Sequence, residues 1–406
     1  MLQSLVNSIV FVPPRDPNSL QRVQLLQRKR HMSFTSKKSG ERISYFHFDP
    51  KGDLVTKDNP ERVVRSSMVL LFHHGNAEDL GSAFSYAQSM ACVFGVAVVV
   101  YDYCGYGFSG FPDAAKPAEV TEKSVYSDAD HMYAHLLSLG YPAHRIIIVG
   151  RSVGGGPACY LAEKHHKKVG GLVLISTFTS CLRVVSSCCL PYLCCCVDLF
   201  PNYRRIEHIM ECPVLVMHGT HDNVVPHHCS SELLEDIVAR RNNALQRLLK
   251  KREGARANQA KRSSVLGAAS TGPTNTTTAS ATIIVADEAL VTAQPPLDGE
   301  TVSVFDLYRR AYDGLPEAVR RVAEGRLDVT AADASIGVFH RWFAGCGHND
   351  IEAREGHAFS DMFDYFVRFS TAFSMEREAL LLAKPVTGAA KASRDSLNRA
   401  DSEVRE

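Results

Sequence analysis

Charge of one sign is what this chain has least of: 45 basic residues stand against 44 acidic ones in 406, a formal net charge of +1. No global field draws it to nucleic acid, and any electrostatic partner must be met locally. The first lysine or arginine is Arg15, so "MLQSLVNSIVFVPP" lacks the basic start and small-residue cleavage site of a secretory leader, and the expectation is a protein that is not secreted. Leu2, Leu5, Val6, Ile9 and Val10 fall on one helical face, yet a stretch this short cannot cross a bilayer, which takes about twenty residues. Residues 1–30 therefore read as an amphipathic segment, docked on its own domain or lying in a membrane interface. Without a leader, the 12 cysteines should stay reduced, which argues against a disulfide framework. No C-x-x-C pair is present, and the histidine pairs 73/74, 165/166 and 227/228 lie in no zinc-type spacing; they read as surface or turn residues. G-x-G-x-x-G and the P-loop Lys-Ser/Thr pair are missing too. No cofactor is expected.

What is present is an alternation of short apolar runs with helical-period segments over residues 31–238, the pattern of a mostly parallel sheet flanked by helices. Buried strands read at 67–72, 95–102, 145–150, 171–176 and 213–219, with helices near 121–139 and 153–168. An edge hairpin precedes them, turning near Lys38 to Glu41. From 239 to 335 the pattern breaks into an insertion that opens with nine Lys/Arg and one Glu in residues 239–262 and continues as Ser/Thr/Ala/Gly-rich chain. The basic part, with Leu234, Val238, Leu245, Leu248 and Leu249 at near-helical intervals, could bind an acidic membrane or a calmodulin-like partner, and reads first as a solvated helix running into a linker. Phe305, Tyr308, Ala311, Tyr312 and Leu315 recur at helical spacing, so part of 301–325 should fold onto the main domain. Residues 336–375 return to the domain with a strand and a Phe-rich helix, and 376–406 form a polar tail.

The chemistry centres on the single G-x-S-x-G of the chain, Gly150-Arg151-Ser152-Val153-Gly154, at a strand-to-helix junction. There the turn is sharp and strained, and it holds a serine hydroxyl above the sheet. A serine needs a base to take its proton, and the base needs an acid to orient it. In this fold acid and base follow in the order Ser, acid, His, on loops after later strands. Asp222, after "PVLVMHG", is the acid; a lone aspartate there would be a cap or turn residue. His348, in "FAGCGHND", is the base; His340 competes but lies within the strand. Oxyanion donors are expected from the backbone N–H of Val153 and, in "HHGNAEDLG", of Asn76.

"FHHGNAEDLGSAFSYAQSM", "VVVYDYCGYGFSG", "IIIVGRSVGGGPACYLA", "VDLFPNYRRI", "CPVLVMHGTHDNVVP" and "FAGCGHNDIE" resemble successive blocks of the α/β-hydrolase domain-containing protein 17 family, over about 31–238 and 336–373. The resemblance implies an α/β-hydrolase fold and a membrane-associated serine hydrolase that removes palmitoyl groups from proteins, with Ser152, Asp222 and His348 as its triad. Alternatives on the same fold are a lipid esterase acting on monoacylglycerol or lysophospholipid, a serine peptidase, and a non-catalytic acyl-binding scaffold. The resemblance implies membrane anchoring through an N-terminal cysteine cluster, whereas the first cysteine here is Cys92. In a connection near 178–205, where this fold places its cap, Cys188, Cys189, Cys194, Cys195 and Cys196 either pack as small apolar residues or carry palmitate that anchors the site to a membrane. The expected setting is the cytoplasmic side, peripheral on membranes, with an S-acylated protein or lipid as substrate.

Overall fold

The computed structural model describes residue 7 and residues 10–14, 32–110, 119–185, 198–268 and 301–383. Its centre is an eight-stranded sheet in the order β1-β2-β4-β3-β5-β6-β7-β8. Two antiparallel edge strands, β1 (Ser33–Ser36) and β2 (Arg42–Phe48), form the hairpin read from sequence. Six parallel strands follow: β3 (Val69–His73), β4 (Ala97–Tyr101), β5 (Ile146–Arg151), β6 (Gly171–Ile175), β7 (Val214–Gly219) and β8 (Val338–Phe343). In β3 and β4 every residue is buried, as the continuous Val/Leu/Ile runs require of strands covered on both faces.

Helices α1 (Leu80–Phe94), α2 (Glu122–Ser138) and α3 (Gly155–His165) fill the first crossovers. Local chemistry sets their starts. Asp79 and Thr121 accept from the backbone N–H of Ser82 and Ser124, whose hydroxyls answer each cap residue, so two orphan donors are satisfied at each helix start. Short helices α4 (Cys181–Val185) and α5 (Asn202–Ile206) flank residues 186–197, which lie outside the described residues together with the five cysteines of that stretch. One face of the sheet packs against α2, α3 and the start of α6 (His228–Ala268), through Met132, Leu161 and Ile237. The other packs against α1, α7 (Val304–Asp313) and α10 (Ile351–Ala383), through Met90, Tyr308 and Phe366.

The basic stretch departs from its reading as a solvated helix. α6 runs unbroken through residue 239, and Arg241, Leu245 and Arg252 are buried on it. The Arg241 guanidinium donates to the carbonyls of Ile209, Cys212, Ile336 and Gly337 and to the Tyr308 hydroxyl, which ties α6 to the approaches of β7 and β8. Arg252 grips Asp306 with two bonds of 2.8 and 2.7 Å, and Asp306 also answers the Ser303 cap of α7. A count of charges cannot tell a cation facing water from one facing carbonyl oxygens. Residues 301–336 form α7, α8 (Glu317–Arg326) and α9 (Ala331–Ile336), with Tyr308, Ala311 and Leu315 buried as their spacing predicts. α10 likewise runs past residue 376, because the buried Arg377 donates to the Val169 carbonyl.

Removing one member of a buried ion pair strands the other, at a cost of about 3–5 kcal/mol. Arg252→Ala should lower the unfolding free energy by that order in urea titration, whereas a substitution on a solvated helix would change it by no more than about 0.5 kcal/mol.

Candidate active site

Two strand registers bring the separated sequence blocks together. His73 pairs with Gly150, which sets the loop after β3 beside the turn after β5; Gly219 pairs with Phe343, which sets the Asp222 loop beside the His348 loop. Both junctions lie at the carboxyl ends of parallel strands, where open α/β sheets form their crevices.

After β5 the chain turns through a single 3-10 turn, Ser152–Gly154, directly into α3. Ser152 sits at φ 51, a left-handed conformation that costs an L-residue energy and projects its side chain out of the sheet. The two glycines that follow Val153 are demanded by close approach: a Cβ on Gly154 would overlap the His73 carbonyl, and one on Gly155 the Thr177 hydroxyl. Thr177 donates to the Ser152 carbonyl at 3.1 Å.

His348 bridges the other two candidates. Its Nε2 stands 3.0 Å from Ser152 Oγ and its Nδ1 2.6 Å from Asp222 Oδ2. Burial works against charge on Asp222, but hydrogen bonds from His218, His348 and the Val225 N–H outweigh it and hold the carboxyl well below the usual carboxylate range. An ionised carboxylate only accepts, so the Nδ1 of His348 carries the proton, and Nε2 of the neutral ring is left to accept from the Ser152 hydroxyl. The competing histidine, His340, is exposed on β8.

Val153 is the second residue of the 3-10 turn; Gly155 is the first to close onto the Ser152 carbonyl, so the Val153 N–H precedes the turn's hydrogen bonding. Asn76 lies in the loop after β3, followed by Ala77 at φ 55. Its side chain is engaged away from the turn: Nδ2 donates to the Val10 carbonyl at 2.7 Å, and Oδ1 accepts from the Val12 N–H and the Tyr106 hydroxyl, each at 2.9 Å.

Sequence reasoning missed His218. It is the penultimate residue of the buried strand β7, and its Nε2 approaches Asp222 Oδ2 at 3.0 Å and the Val225 carbonyl at 2.9 Å, while Nδ1 lies 2.7 Å from Ser230 Oγ. A histidine inside an otherwise apolar strand was the available signal. Arg151 was also unassigned; its guanidinium lies over the Tyr86 ring, 3.8 Å from Glu352, and 3.5 Å from Asn349 Oδ1 next to His348. The reading of His73 and His74 as surface or turn residues fails, since both rings are fully buried. Burial pushes His73 down to about 3, and its Nδ1 meets the Tyr101 hydroxyl at 2.8 Å. No group of three or more His, Cys, Asp or Glu side chains among the described residues could hold a metal ion.

This order of strands, a strained serine turn after β5, and acid and histidine on the loops after β7 and β8 make the fold an α/β-hydrolase fold. A family model described as the alpha/beta hydrolase fold matches residues 68–188. Within that class the chain is similar to α/β-hydrolase domain-containing protein aho-3 of Caenorhabditis elegans, 37% identical over 161 residues, 39% of this chain and 45% of the relative. It is also similar to α/β-hydrolase domain-containing protein 17B of Homo sapiens, 36% identical over 157 residues, 38% of this chain and 50% of the relative. The chain thus spans about half the length of the curated relatives it matches. Among solved structures, an alpha-beta hydrolase from Vibrio vulnificus superposes with a TM-score of 0.44 at 17% identity, covering 59% of this chain and 82% of that one.

The depressed Asp222 carboxyl has a stability consequence whose sign is fixed. Its folded pKa lies below the unfolded value of about 3.9, so its contribution is fully present above that pH and is lost as pH falls towards the folded value. The difference in urea midpoint between wild type and Asp222→Asn should shrink as pH falls from about 4 into stronger acid.

Proposed function

We propose that the protein is a serine hydrolase of acyl thioesters that removes palmitate from S-acylated proteins at the cytoplasmic face of a membrane. The observation that carries the catalytic part is the unbroken Ser152 Oγ, His348 Nε2, His348 Nδ1, Asp222 Oδ2 chain at 3.0 and 2.6 Å on a turn with Ser152 at φ 51. Ser152 Oγ attacks the acyl carbonyl while His348 Nε2 takes the hydroxyl proton and Asp222 stabilises the imidazolium through Nδ1–H. The N–H groups of Val153 and Asn76 hold the oxygen that becomes negative; losing one such donor costs about 10²–10³ in rate. Collapse of the tetrahedral intermediate breaks the C–S bond, and His348 returns its proton to the departing thiolate. Water, deprotonated by the same ring, then attacks the acyl-enzyme carbonyl; collapse breaks the bond to Ser152 Oγ, frees the fatty acid, and His348 returns the proton to the serine oxygen. Each step balances with no group beyond the protein and water.

The thioester substrate rests on the resemblance of the "DLFPN" and "GHNDIE" blocks to the protein 17 family and on the relatives reported above. Two exposed valines suit a rim that meets lipid: Val12 is 48% and Val224 56% exposed, the first bonded to the Asn76 loop and the second in the Asp222 loop. Among the described residues no helix is long and apolar enough to cross a membrane. Membrane contact would then be peripheral, through this rim and through palmitate on some of Cys188, Cys189, Cys194, Cys195 and Cys196.

A fluorophosphonate probe should label the wild type and leave Ser152→Ala unlabelled, and the same substitution should abolish release of palmitate from an S-palmitoyl peptide. Equal labelling of both proteins would remove Ser152 as nucleophile. Hydrolysis of monoacylglycerol or lysophospholipid without cleavage of the S-acyl peptide would move the substrate to a lipid ester, and cleavage of peptide bonds would make the enzyme a peptidase.

Serine at all five clustered cysteines should shift the protein from the membrane to the soluble fraction of a cell lysate. Unchanged fractionation would leave them as packing residues only.

A further inference from the structure

The short N-terminal segment Val10–Pro14 lies against the site from both sides, and it does so through one buried ring and one amide. Phe11, 6% exposed, meets the edge of the Phe200 ring, with centroids 5.8 Å apart and planes at 85°. Phe200 in turn fills the place that a side chain on Gly156 would need, at the start of α3, three residues after Val153. On the other side the Asn76 amide straddles Phe11, donating to the carbonyl before it and accepting from the N–H after it, at 2.7 and 2.9 Å. The Tyr106 hydroxyl supplies a second donor to the same Asn76 oxygen at 2.9 Å.

The loop that carries Asn76 needs such support. Ala77 holds φ 55 without being glycine, and a residue in that region persists only where its surroundings over-determine it. With its side chain bonded to the strap, Asn76 is available to the reaction only through its backbone N–H. We propose that Val10–Val12 is a strap that positions both oxyanion donors: the Asn76 amide fixes the loop after β3, and Phe11 wedges Phe200 against the helix that begins at the serine turn. Phe11 and the Asn76 side chain are thus positioning residues, and the segment before the domain is part of its active site. This rests on the Ser152 reading of the proposed function.

The test uses the full chain and a p-nitrophenyl ester, with a trifluoromethyl ketone that forms a tetrahedral adduct on the serine as probe of the donors. Phe11→Ala and Asn76→Ala should each lower kcat about 10- to 100-fold with KM changed less than about twofold, and weaken the ketone by the same factor. The double variant should lose little more than either single one, because both act on one brace. Phe11→Leu should recover most of the rate. Folded variants with wild-type kcat and ketone affinity would overturn the proposal, as would a rise in KM at unchanged kcat, which would make the strap only a wall of the substrate pocket. Should Asn76→Ala fail to fold, Phe11→Ala alone tests the strap by the same two readouts. Ser152→Ala run alongside separates the two readings: activity retained there overturns the nucleophile, whereas activity lost there and kept in the strap variants overturns the strap alone.

Discussion

The approach of the Gly154 backbone to the His73 carbonyl is the constraint on which the rest of the site depends. Nothing larger than hydrogen fits between them, so the serine turn rests directly on the end of β3. That contact places the loop after β3 beside the turn and so sets the separation of Val153 from Asn76. It also obliges the chain to leave β5 at an angle that holds Ser152 at φ 51. Strain of this kind, of order 1–3 kcal/mol for a residue, has to be met by the surroundings. Here the fully buried strands on both sides of β5 and the Thr177 bond to the Ser152 carbonyl meet it.

Asp222 and His348 stand 126 residues apart in sequence, and their contact at 2.6 Å is maintained by the β7–β8 register rather than by the chain between them. Extra length in such a connection adds closure entropy only as the logarithm of its size, so a long insertion is tolerable in itself. What makes it compatible with a fixed geometry is Arg241. Its guanidinium binds carbonyls on both sides of the sheet's last crossover, at Ile209 and Cys212 before β7 and at Ile336 and Gly337 before β8. The two strands are thereby tied at the ends opposite the loops that carry Asp222 and His348. The Arg252–Asp306 pair repeats the device farther out and seats α7 on α6.

Strand positions and the meeting of the Ser152, Asp222 and His348 side chains were legible because they depend on local pattern and on fold order. The runs at 145–150 and 213–219 can only be covered strands, and β5 and β7 fall on them within a residue. Contacts that depend on direction rather than type were not legible. Arg241 and Arg252 lie among seven other cations in residues 239–262, and which of them face inward is decided by α7 and α9, elements far along the chain. The pairing of Asn76 with Val10 and Val12 spans more than sixty residues and involves backbone groups that no residue type announces. His73 illustrates the converse error: two adjacent histidines suggested a polar turn, yet one closes a buried strand with Tyr101 as its partner.

The three loops that carry the site share a device which explains why their geometry survives assembly from distant parts of the chain. In each, an acidic side chain binds a backbone N–H three positions away. Glu78 accepts from the Gly75 N–H at 2.8 Å, Asp222 from the Val225 N–H at 2.8 Å, and Asp350 from the Gly347 N–H at 2.6 Å. Such bonds close each loop locally, as capping residues close helix ends, and satisfy donors that would otherwise face a partly buried crevice. The loops therefore arrive as preformed turns, and the sheet has only to set them side by side. Asp222 does both tasks with its two oxygens: Oδ1 closes its own loop on Val224 and Val225, and Oδ2 is shared by His218 and His348. Rotating that carboxyl to improve either set would break the other. The orientation of His348 towards Ser152 is thus fixed by the same bonds that shape the turn beneath it.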